Sequence, residues 1–231
     1  MKGFPVVLLV FFLSSVVLSQ SVSRDQKLQQ ISDLNSQIKA LEDEILLPSS
    51  SDIRRAKEAG FEVFRLMPRE KYDHKLTVQG GGSYYSFTTR SHDYQKTAEI
   101  GLEQNHLKVG FAGADYGFIA DLADARLVDV TKDTAEASFL VAYRPPQTES
   151  DVRKEAMKAW NYEANGFMYK SQIPAVVGHT YVLRAISFDD ADVLVAINLY
   201  RKDTDGSLIV FWKILETFSK PTFERAPRDY D

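Results

Sequence analysis

The chain has 231 residues, with 28 basic and 32 acidic side chains and a formal net charge of −4 at pH 7. That mildly acidic balance argues against a polyanion partner such as nucleic acid, and the longest basic cluster, Arg54-Arg55 with Lys57, is too small to track phosphates. With no cysteine, the protein is not a small disulfide scaffold and must be held by its core, for which its length suffices.

Lys2 is the only charge before Arg24, and Phe4 to Leu18 is an apolar run broken only by Pro5, Ser14 and Ser15. The run is about 15 residues, short of the about 20 that a membrane-spanning helix needs. Val17 and Ser19 are small enough for the two specificity positions of a signal peptidase. Residues 1–19 are therefore expected to be a signal peptide cut after Ser19. The alternative is an uncleaved N-terminal anchor. Cleavage removes Lys2 and no acid, so the mature chain carries 27 basic and 32 acidic residues. The expected location is secreted or periplasmic, with membrane contact only during export. The absence of cysteine and of Asn-x-Ser/Thr sites sits more easily with a bacterial cell envelope than with a eukaryotic secreted protein.

Residues 20–47 read as an amphipathic helical stem. Arg24 to Leu47 contains no Gly or Pro, and Pro48 ends the pattern. Ile31, Ile38 and Ile45 recur every seven residues, with Leu34 and Leu41 three after the first two. Ile at a and Leu at d is the pattern of parallel two-stranded coiled coils. The stem is expected either to self-associate through this seam or to pack it on its own domain. Residues 48–60 read as a linker and short helix. Pro48 to Ser51 is a candidate hinge, Asp52 a candidate cap and Gly60 the terminator.

From Phe61 the period becomes alternating. Expected strands are 61–67, 75–78, 83–90, 99–103, 106–111, 117–121, 127–130 and 137–143, with Gln104-Asn105 as a tight hairpin. Thr148 to Tyr162 reads as a helix capped by Thr148 or Ser150, with Val152, Ala156, Ala159 and Trp160 on its apolar face. Residues 180–188, 191–201 and 207–216 form a meander turning at Asp189-Asp190 and at Asp203 to Gly206. Its strands are apolar on both sides, so both are expected to be buried. One face is expected to hold Val182, Ile186, Phe188, Val193, Val195, Ile197, Leu199, Ile209, Phe211 and Leu215; the other Tyr181, Leu183, Ala185, Leu194, Ala196, Val210, Trp212 and Ile214. The fold class is thus α+β and β-rich. Residues 61–218 should form an antiparallel sandwich or open barrel with one covering helix, and 219–231 a flexible tail.

Motifs for chemistry are missing. His74, His92, His106 and His179 have no zinc-ligand spacing, so neither a metal nor a cofactor is expected. Gly80-Gly81-Gly82-Ser83 lacks the closing glycine of a nucleophile elbow and reads as a flexible turn. The acidic groups Asp189/Asp190/Asp192 and Asp203/Asp205 sit at opposite ends of one strand, about 35 Å apart, and read as turn residues rather than calcium ligands. Arg184, Asn198 and Lys213 interrupt the meander. Arg184 and Lys213 are expected to flank Val195 on one face and to find internal carboxylates or an anionic ligand. No catalytic, ligand-binding or metal residue is singled out. The leading expectation is an exported, non-enzymatic binding or interaction module. The alternatives are a carrier of an apolar or amphipathic molecule in a barrel-like pocket, and a hydrolase with an unrecognised site.

Overall fold

The computed structural model describes residues 23–92, 94, 98–111 and 115–223. The expected signal peptide lies outside them, as does the expected tail beyond Phe223. The chain is α+β and β-rich, with antiparallel sheets, one long helix and no closed barrel among the described residues. No described helix is long and apolar enough to cross a membrane.

Helix α1 spans Arg24–Leu46, ending before Pro48. The chain divides into two compact units inside this helix, the second beginning at Ile38. The last turns of α1 therefore belong to the β-rich unit. Within that unit Glu42 and Leu46 are buried. The Glu42 carboxylate accepts the Thr77 N–H and, at 2.7 Å, the Thr77 hydroxyl. Leu46 lies against Gly82, where an added Cβ would stand 2.2 Å from the leucine Cδ2. Gly80, Gly81 and Gly82 are buried with φ between 61° and 78°, so this expected flexible turn is a packed one that admits no side chain. The expected strand 75–78 is not formed, because the Thr77 N–H is spent on Glu42 rather than on a neighbouring strand.

Helix α2 covers Ser50–Glu58. Ser49 rather than Asp52 is its cap, accepting the Asp52 N–H at 3.2 Å. Asp52 is buried and receives both arms of Arg201, at 2.7 and 2.9 Å. Gly60, at φ 78°, ends the helix as expected. The Leu47 carbonyl also accepts from Arg65 Nε at 3.3 Å. Between these contacts Pro48 is half-buried and Ser49, Ser50 and Ser51 are exposed.

The larger sheet has five antiparallel strands in the order β1 (Glu62–Leu66), β11 (Leu208–Thr217), β10 (Ala191–Lys202), β9 (Thr180–Ser187) and β5 (Tyr116–Asp121). The second has four: β2 (Tyr84–Tyr85), β3 (Ile100–Glu103), β4 (His106–Lys108) and β8 (Gln172–Pro174). Gln104 and Asn105, both at positive φ, make the expected tight turn between β3 and β4. Strands β6 (Tyr162–Ala164) and β7 (Phe167–Tyr169) form a separate hairpin around Asn165-Gly166. Three short helical segments were expected otherwise. Helix α3 (Arg69–Tyr72) falls in a stretch given no element, residues 127–129 are a 3-10 turn, and 137–142 are helix α4 (Ala137–Ala142). Apolar runs of six or seven residues do not distinguish a buried strand from a buried helix. Helix α5 (Glu149–Lys158) is capped by Thr148 as expected.

The meander forms, but its faces differ from the expected ones. Ser187 pairs with Ala191, so the β9–β10 turn contains three residues, Phe188 to Asp190, with Asp189 at φ 66°. A two-residue turn was expected, and one residue of slip reverses every side chain. A bulge at Tyr200 shifts β11 in the same way. Tyr181, Leu183, Val193, Val195, Ile197, Leu199, Val210 and Trp212 therefore share one face, packed against Tyr85, Ile100, Leu102 and Leu107 of the second sheet. The opposite face carries Val182, Ile186 and Leu194 under α4, α5 and Tyr169. Beside them, Ala196, Ile209 and Phe211 lie under Ala56 of α2 and the 127–130 turn. Three helices, α2, α4 and α5, and not one, cover that face beside the β6–β7 hairpin.

Candidate functional site

The strongest polar constellation on the helix-covered face is internal. Arg184 is 1% exposed and holds Asp192 through Nε at 2.7 Å and Nη2 at 2.6 Å. Its Nη1 donates to the Leu140 and Tyr143 carbonyls at 2.5 and 2.9 Å, and its guanidinium lies 3.7 Å from the Phe218 ring centroid. Arg184 thus finds a carboxylate of its own unit. Lys213 is not its companion beside Val195. Val195 is flanked by Leu183 and Ile214, whereas Arg184 and Lys213 pair with Leu194 and Ala196. The Lys213 ammonium donates to the Val128 carbonyl at 3.1 Å, and burial pushes its pKa down. Asn198 is also satisfied internally, by the Gly178 and His179 carbonyls and the Thr180 hydroxyl at 3.0 to 3.2 Å.

Above this pair, α5 and the end of α4 border an open cleft of about 360 Å³. Tyr143, Arg144, Asp151, Lys154, Glu155 and Lys158 line it. Arg144 donates to the carbonyls of Val141, Ala142 and Tyr143 at 3.0 Å and so closes the end of α4. Asp151 takes Lys154 at 2.7 Å, and Glu155 takes Lys158 at 2.6 Å. The Tyr143 phenol donates to Glu155 at 3.2 Å and lies 3.0 Å from the Tyr116 hydroxyl. Burial, then the Tyr116 contact and the Glu155 charge, push the Tyr143 phenol well above its ordinary pKa. Two carboxylates each tied to a lysine, beside a phenol held protonated, are poorly suited to general acid–base work.

The histidines are dispersed. His74 is exposed, and His106 Nδ1 donates to the Gln104 carbonyl at 2.9 Å. His92 Nδ1 donates to the Tyr84 carbonyl at 2.8 Å, and burial lowers its pKa to about 4. His179 Nδ1 lies 3.0 Å from both Asp121 oxygens. That is a His–carboxylate pair, but the neighbouring Thr180 hydroxyl donates to the Ala125 carbonyl and not to the imidazole. Among the described residues no group of three or more His, Asp or Glu side chains is placed to hold a metal ion. Asp203 and Asp205 are explained by arginines and a local cap, and Asp192 by Arg184. Asp203 receives Arg65 at 3.0 Å and Arg201 at 2.6 Å, and Asp205 caps Ser207.

Two groups of the exposed apolar side chains stand out by size or spacing. At the end of α5, Met157 and Trp160 are 77% and 76% exposed. Trp160 was expected on the buried face, but the helix ends at Lys158; Val152 and Ala159 are buried and Ala156 packs against the same cluster, as expected, while Trp160 does not. The second feature is the α1 seam: Ile31, Leu34, Ile38, Leu41 and Ile45 are all exposed. No protein-family model matches the chain, and no curated protein or solved structure matches it.

Proposed function

We propose that this protein is an exported, non-enzymatic interaction module: a β-rich sandwich carried behind a helical stem. The observation that carries this reading is the exposure of Met157 and Trp160 beside a cleft whose acids are already neutralised. Large exposed apolar side chains grouped on one element favour a contact surface, and tryptophan is the residue most enriched in binding hot spots. The carrier alternative is weakened because the space between the two sheets is filled by Phe64, Tyr85, Phe87 and Trp212. The hydrolase alternative is weakened because the acids lining the cleft are ion-paired. The test is made in an exporting host. Intact mass of protein recovered outside the cytoplasm should begin at Gln20. A photo-crosslinker at position 157 should then give a discrete adduct that the same group at exposed position 149 does not give. Full-length chain retained in the membrane would refute export, and identical patterns at 157 and 149 would refute the contact surface.

A further inference from the structure

We propose that α1 pairs with α1 of a second copy of this chain as a parallel two-stranded coiled coil through Ile31, Leu34, Ile38, Leu41 and Ile45. This names a partner for the interaction module but rests on α1 alone, not on Met157 or Trp160. The first support is how the helix end is seated. With Ile31 at a, Glu42 falls at e and Leu46 at b. The contacts to Thr77 and Gly82 therefore use one flank of the helix and leave a and d open. Ile38, Leu41 and Ile45 belong to the same compact unit as that seat, yet are 39%, 60% and 46% exposed. The β-rich unit leaves its own part of the seam, from Ile38 onward, uncovered.

The second support is charge. In a parallel pair each g position faces the following e position of the other chain. Gln30 then faces Asn35, and Gln37 faces Glu42, whose carboxylate is already held by Thr77. Glu44 has no counterpart, since its e position would be residue 49, beyond the end of α1 at Leu46. No carboxylate opposes a carboxylate. A lipid surface fits less well, because α1 carries five acidic and only three basic residues, whereas helices lying on membranes present a basic polar face. Among parallel assemblies, Ile at a with Leu at d favours two strands.

Single cysteines can be placed without background, since the chain has none. The chain recovered after export, its N-terminus read by mass, should sediment as a dimer at high micromolar concentration. Oxidised Leu34→Cys protein should cross-link to dimer, and Ser36→Cys, on the outer face, should not. Replacing Ile38 and Leu41 together with lysine should halve the sedimenting mass and leave the strand signature in circular dichroism unchanged. A monomeric unmutated chain would overturn the proposal, as would a dimer that survives the double lysine substitution. Cross-linking only between Ile31→Cys and Ile45→Cys chains would mean an antiparallel pair. A monomer that floats with vesicles of zwitterionic and anionic phospholipid would assign the stripe to lipid. A monomer that still gives the adduct at position 157 would remove the dimer and leave the interaction module standing.

Discussion

The two faces of the five-stranded sheet are both buried, but they are closed by different chemistry. Toward the second sheet the contact is made of rings and aliphatic side chains: Phe64 stacks on Tyr85 at 3.9 Å, and Phe87 meets Trp212 at 4.9 Å. The one carboxylate buried beside that cluster among the described residues, Glu99, accepts the Phe87 and Thr88 N–H groups and pairs with no cation. Toward the helices, the sheet buries the Arg184–Asp192 pair. The cause lies in what each face is packed against. Paired strands satisfy their own carbonyls, whereas α4 ends over the sheet: Arg144 serves the carbonyls of Val141, Ala142 and Tyr143, and Arg184 supplies the donor at Leu140 and a second one at Tyr143. A short helix ending on a sheet needs a polar donor that an aliphatic side chain cannot provide.

The largest effects should separate the faces. Asp192→Asn leaves a buried guanidinium without its counter-charge and should cost about 3–5 kcal/mol in denaturant unfolding. Combining Arg184→Met with Asp192→Leu should recover part of that loss but not all, because the Leu140 carbonyl loses its donor and the Tyr143 carbonyl keeps only Arg144. Full recovery would show that the pair does not serve those carbonyls. On the ring face, Trp212→Ala should cost a similar ~3–5 kcal/mol. Trp212→Phe should cost under ~1.5 kcal/mol, because the indole N–H has no hydrogen-bond acceptor among the described residues and is lost without a broken bond. If Trp212→Phe were as damaging as Trp212→Ala, an acceptor would have to exist.

Sequence pattern alone revealed that both faces are buried, but not which side chains share a face. Alternation along β9, β10 and β11 is plain in the residues. Their relative phase depends on whether the Asp189-Asp190 turn also takes in Phe188, and on the bulge at Tyr200, and neither leaves a compositional mark. The helices were legible where a cap stood ahead of a long pattern, as with Thr148 before α5, and not where six apolar residues make α4. The β6–β7 hairpin had a readable signal, since Asn165-Gly166 is a strong two-residue turn. The cleft was not readable, because it joins Tyr143 and Arg144 to α5 only through the way α4 and α5 meet.

Acid should act on the ring face through the titratable groups at its margin, His92 and Glu99. His92 sits at its margin, 5.2 Å from the Tyr85 ring, and burial depresses its pKa from 6.5 to about 4. Between those values the unfolded chain binds the proton and the folded chain does not, so stability falls as pH drops through this window. The full loss is about 3 kcal/mol by pH 4. Asp43 lies close enough to oppose the depression slightly. Glu99 works in the opposite sense: burial raises its pKa against bonds from Thr88, Phe87 and Ser86, so its contribution favours the folded state as pH falls. The comparison must therefore be made by difference. Unfolding curves of His92→Asn, whose amide can still donate to the Tyr84 carbonyl, should lose the slope between pH about 6.5 and 4. An unchanged slope would place the titration elsewhere.

The smallest effect concerns the outer surface of the helix-covered face. Trp160→Ala removes a side chain that is 76% exposed, so stability should stay within about 0.5 kcal/mol. The change should instead be visible in fluorescence, because the chain has only two tryptophans. Trp212 is 1% exposed among aromatic rings, so the variant should emit at shorter wavelength than the unmutated protein and resist quenching by iodide. In the unmutated protein iodide should quench a distinct fraction, the emission of Trp160. Protection of that fraction when the position-157 partner is present would place the contact on the end of α5. A variant that loses stability as Trp212→Ala does would mean that Trp160 is buried after all and that the helix-covered face extends to it.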